Sequence, residues 1–85
     1  KTEWAGGVMA TREMIVGRDW QELTDGSQTV FVQINGVADV CSSARKPDTA
    51  HPAHNMNNEK FTTTPPDRLW IRASGYDGSV RVIVT

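Results

Sequence analysis

The chain has 85 residues, enough for one small domain whose fold hides only about 60–65% of the surface its unfolded form exposes. Nine basic and ten acidic residues leave a net charge of −1, too little to attract nucleic acid, and no apolar run approaches the ~20 residues of a membrane span. A single cysteine, Cys41, excludes an internal disulfide, and the 38% apolar share is low for a globular protein yet too high for a disordered one.

So small a core usually needs a staple. With disulfides gone, a metal or sister copies remain, and oligomerisation is the default expectation. The sequence opens at Lys1 with neither an initiator methionine nor the apolar region of a signal peptide, and it has no Asn-x-Ser/Thr acceptor.

In chain order, residues 1–19 read as an N-terminal arm or edge strand. "KTEWAGGVM" places Trp4 and Met9 on a glycine-loosened segment suited to docking, and a strand is expected near 12–16. From 20 to 85 the chain reads as one β-sandwich domain. A short strand at 20–23 runs into an Asp25-Gly26 turn. "TVFVQIN" then alternates strictly, with Val30, Val32 and Ile34 on one face. Asn35-Gly36 followed by "VADVCSS" predicts a type I′ hairpin over 29–42. Residues 43–61 hold both histidines and two of the four prolines without apolar periodicity, and read as one long loop. "KFTTTPP" reads as a strand stopped by Pro65-Pro66. "RLWIRAS" and "SVRVIVT" alternate again, and "GYDG" between them predicts a second hairpin. Leu69, Ile71 and Ala73 share one face and Val80, Val82 and Val84 another, while Arg68, Trp70, Arg72 and Arg81 point outward. No window carries helical periodicity over three turns. The expected fold is all-β: an antiparallel β-sandwich or a jelly-roll-like small barrel with one long loop.

Three chemistries can be weighed against this frame. His51 and His54 are three apart, with Cys41 and Asp48 near in sequence, but a structural zinc site wants four ligands and usually paired thiolates, so surface or interface histidines are the simpler reading and no metal or cofactor is expected. Cys41 with a histidine could form a nucleophile pair on paper; a small cysteine near a strand end more often packs in the core, and no general catalytic motif occurs. The large aromatics Trp4, Trp20, Trp70 and Tyr76 could stack on sugar or anchor another protein, or cover the edge of the core. The residues singled out for an interface are Trp4, Met9, Pro47, His51, His54, Met56, Trp70, Arg72 and Tyr76.

The segments "WQELTDG" (20–26), "VFVQ" (30–33), "PDTAHPAH" (47–54), "PPDRLWIR" (65–72) and "VRVIVT" (80–85) resemble a pattern seen in small bacteriophage virion accessory proteins. The resemblance covers roughly 20–85, and its motifs are structural rather than catalytic. It implies an all-β, non-enzymatic piece of the virion, assembled in the host cytoplasm as a homo-oligomer such as a trimer, that decorates the head, builds a head fibre or attaches to the tail. Capsid or tail proteins are then the other partners. The alternative is a module of the virion that binds a carbohydrate or receptor, with a host surface glycan as ligand.

Overall fold

The computed structural model describes residues 11–85 and has eight strands: β1 Arg12–Val16, β2 Gln21–Thr24, β3 Val30–Asn35, β4 Val37–Ser42, β5 His54–Asn57, β6 Lys60–Thr63, β7 Leu69–Ala73 and β8 Val80–Val84. They form two four-stranded antiparallel sheets, ordered β1-β8-β3-β6 and β2-β7-β4-β5. The pairs β1–β8, β2–β7, β3–β6 and β4–β5 nest as in one long folded ribbon. Rolling that ribbon brings β3 beside β8 and β4 beside β7. This is the winding of a jelly roll, one of the ways an all-β chain limits its open sheet edges. Trp4 and Met9 lie outside the described residues.

The core forms where the two sheets face each other. Val30, Val32 and Ile34 of β3 and Val80, Val82 and Val84 of β8 oppose Ala38, Val40, Ile71 and Ala73 of the second sheet, and all are buried. Met14, Met56, Phe61 and Leu69 close its margins. Val16 is fully buried, so the sandwich begins before Trp20, with β1 as an edge strand on β8.

Neither expected hairpin forms. β3 and β4 belong to different sheets, as do β7 and β8. A type I′ turn needs positive φ at both central residues, whereas among the described residues Asn58 is the only non-glycine residue with positive φ. Asn35 is therefore excluded from that conformation. Gly36, at φ 132°, instead bends the chain from one sheet to the other; a Cβ there would lie 2.9 Å from Val80 Cγ2. The physical reason is burial. A hairpin would leave two aliphatic faces side by side in one sheet, while a corner lays them against each other. This corner is locked by a second one, between β5 and β6. Asn58, at φ 52°, accepts the Gly36 amide on Oδ1 (2.9 Å), and its own amide donates to the Gly36 carbonyl (2.9 Å).

The long loop is also shorter than its composition suggests. Residues 54–57 form β5, which pairs with β4 and leaves a connection of 43–53. β5 is a mostly exposed edge strand, "HNMN", so it carries no apolar alternation to reveal it.

Candidate functional site

The two sheets differ in what covers their outer faces. On the second sheet, Trp20, Cys41 and Trp70 form a small apolar cluster outside the main core. Trp70 pairs across the strands with Glu22 and Cys41. Over this cluster lies the 43–53 connection, held by four side chains. Trp70 Nε1 donates to the Ser43 carbonyl (3.0 Å) and Trp20 Nε1 to that of Asp48 (2.9 Å). Arg68 reaches the Ala44 carbonyl (2.7 Å) and Arg72 that of Thr49 (3.1 Å). Both guanidiniums also lie over indole rings, Arg68 at 5.2 Å from the Trp70 centroid and Arg72 at 4.3 Å from that of Trp20. Arg68 further pairs with Glu22 (2.6 Å) and Arg72 with Asp39 (3.3 Å). Lys46 of the loop meets Asp19 at 2.8 Å, and this contact holds the Asp19 carboxyl below its ordinary range.

The residues singled out from the sequence fare unequally. Trp70, expected on the outward side of its strand either at an interface or covering the edge of the core, is only 7% exposed, because the loop buries the face it points from. Pro47 is buried in the same cover, and Met56 is half-buried against the main core. Arg72 clamps the loop. His51 is half-buried, with Nδ1 2.8 Å from the Pro52 carbonyl, and His54 is exposed at the start of β5. Tyr76 is fully exposed on the β7–β8 connection.

Cys41, Ser42, His51 and His54 line one cleft of about 210 Å³. Among the described residues, no group of three or more His, Cys, Asp and Glu side chains is placed to hold a metal ion. Burial pushes the Cys41 thiol up despite the nearby Arg72, so the thiolate a Cys/His pair would need is disfavoured.

The first sheet has no comparable cover among the described residues. Its outer face presents Ile15 from β1 (61% exposed), Phe31 from β3 (46%) and the half-buried Ile83 from β8. Ile15 opposes Arg81 and Ile83 opposes both Glu13 and Gln33, so the three apolar side chains follow one diagonal across β1, β8 and β3. Diagonal neighbours lie ~7–8 Å apart, within contact reach of long side chains. The Glu13–Arg81 ion pair (2.7 Å) flanks this stripe.

Sequence reasoning found the strands that carry the stripe but not the stripe, which exists only once β1 and β3 settle on either side of β8. No family model, curated protein or solved structure matches the chain.

Proposed function

We propose that this chain is a non-enzymatic structural protein of a bacteriophage virion, one that decorates or extends the particle as a capsid decoration, head fibre or tail accessory. Copies associate through the outer face of the first sheet, in a closed ring such as a trimer. The observation that carries this reading is the contrast between the two outer faces. One has its apolar cluster covered by the chain's own loop, with both indole N–H groups satisfied; the other presents Ile15, Ile83 and Phe31 in one stripe with a flanking ion pair. Burying apolar surface against a sister copy adds the interior that a domain of this length lacks. The jelly-roll winding agrees with the reading, since viral capsid domains use it, though lectins and cupins do so as well.

Light scattering behind a sizing column tests the assembly. The expected mass is that of an oligomer, and Ile15→Glu with Phe31→Glu should reduce it to the monomer without altering the β-sheet circular dichroism. A folded wild-type monomer at all concentrations would refute the association. Imaging of a particle that contains the chain tests its location.

A further inference from the structure

One side-chain cluster on the second sheet serves neither the loop cover alone nor the proposed assembly. An open cleft of about 320 Å³ is lined by Arg18, Asp39, Arg72, Ala73 and Ser74. Arg18 comes from the β1–β2 connection, Asp39 from β4, and the others from β7 and its end. Two acceptors in its wall are already engaged. Asp39 takes Nε of Arg72 (3.3 Å) and Nδ2 of Asn55 (3.0 Å), and the same Asn55 amide donates to Ser74 Oγ (2.9 Å). Arg18 gives one Nη to the carbonyls of Gly75 (3.0 Å) and Tyr76 (3.3 Å). What remains unengaged among the described residues lies mainly on the donor side: the other nitrogens of Arg18, the second Nη of Arg72 and the Ser74 hydroxyl proton.

Two guanidiniums against one carboxylate leave the cleft with net positive charge. The guanidinium fork matches a planar carboxylate, and Asp39 in the wall works against a dianionic phosphate. Asp39 also keeps lone pairs for a ligand hydroxyl. Tyr76, two residues past Ser74, has its carbonyl fixed by Arg18, and its fully exposed ring is free to meet a ligand held in the cleft.

We propose that this cleft binds a carboxylate-bearing pyranose, such as a uronic acid unit of an acidic polysaccharide. The carboxylate sits between Arg18 and Arg72, hydroxyls reach Asp39 and Ser74, and Tyr76 flanks the ring. The cleft lies on the sheet opposite the apolar stripe, so ligand binding and self-association stand or fall separately.

Amide chemical-shift titrations of the full chain test it, using methyl glucuronide, methyl glucoside, acetate and inorganic phosphate. Methyl glucuronide should saturate shifts at residues 18, 39 and 72–76, about tenfold more tightly than the uncharged methyl glucoside, the difference expected for one charge-assisted pair. Arg18→Gln should remove most of that preference, Arg18→Lys should keep part of it, and Tyr76→Ala should weaken both sugars alike; all three change exposed residues, Tyr76→Ala should melt like the wild type, and the Arg18 variants, which give up the bonds to the Gly75 and Tyr76 carbonyls, should melt slightly lower with amide shifts away from the substituted position and outside residues 74–78 unchanged. Equal binding of the two sugars, or the wild-type preference persisting in Arg18→Gln, would overturn the proposal. So would acetate or phosphate binding as tightly as methyl glucuronide, or shifts that never saturate.

Discussion

Trp20 is the residue on which the loop cover depends most. It is 4% exposed although it lies outside the main core, with Arg72 over its ring and its N–H on the Asp48 carbonyl. Replacing it with alanine removes a buried indole, a change that costs about 3–5 kcal/mol where the site cannot collapse. Domains of this kind have about 0.05–0.15 kcal/mol of stability per residue, or roughly 4–13 kcal/mol for 85 residues, so the loss is a large part of the total. Trp20→Phe keeps a ring beneath Arg72 and removes only the N–H, for which about 1 kcal/mol is expected. Urea unfolding followed by circular dichroism gives both values. Limited trypsin digestion adds a local reading, because the Arg45–Lys46 bond lies in the loop, whereas Lys46 precedes Pro47 and is not a cleavage site. In Trp20→Ala the loop should be cut there well before the body unfolds, whereas the wild type should resist. If Trp20→Ala costs less than about 1 kcal/mol, as an ordinary surface change does, and its loop is cut no faster, the loop is not held by this face and the reasoning fails.

Other substitutions probe the neighbouring contacts. Arg72→Lys keeps the charge but loses the planar fork that meets Asp39, Thr49 and the Trp20 ring together; about 1–2 kcal/mol of destabilisation by urea unfolding is expected, where a simple charge effect would give almost none. Asn58→Ala removes the acceptor for the Gly36 amide and forces alanine into a left-handed conformation. It should cost about 2–3 kcal/mol, and Asn58→Gly less because the strain is relieved. Cys41 has a raised pKa in the folded state, so the folded chain keeps the thiol proton after the unfolded chain has lost it. Its contribution is complete below the ordinary value of about 9 and declines as pH rises above it. Urea midpoints should therefore fall more steeply in alkali for the wild type than for Cys41→Ala, and a thiol reagent should label Cys41 quickly only after unfolding.

Alternation was legible in the sequence wherever a strand buries one face in the main core. It identified Val30, Val32 and Ile34, then Ile71 and Ala73, then Val80, Val82 and Val84 as inward, and the absence of helical period made the chain all-β. These are local properties, since successive side chains of a strand point to opposite sides whatever the strand pairs with. Pairing is not local. The same alternation on either side of Asn35-Gly36 or "GYDG" suits a hairpin within one sheet or a corner between two, and only the need to lay one aliphatic face on another selects the corner. Trp70 sits on the side of β7 opposite Ile71 and so reads as facing solvent; it is buried because a polar loop comes back from 27 residues earlier to cover it. β5 carries no apolar alternation because an edge strand need not be apolar. The Ile15–Ile83–Phe31 stripe and the Arg18–Asp39–Arg72–Ser74 cleft each gather residues from three separate segments of the chain. The strands and their inward faces therefore follow from residue order, since they rest on the geometry of a single strand. Which strands became neighbours, and with that which outward side chains were covered, left in a stripe or gathered around a cleft, came from packing one aliphatic face on another across the whole fold.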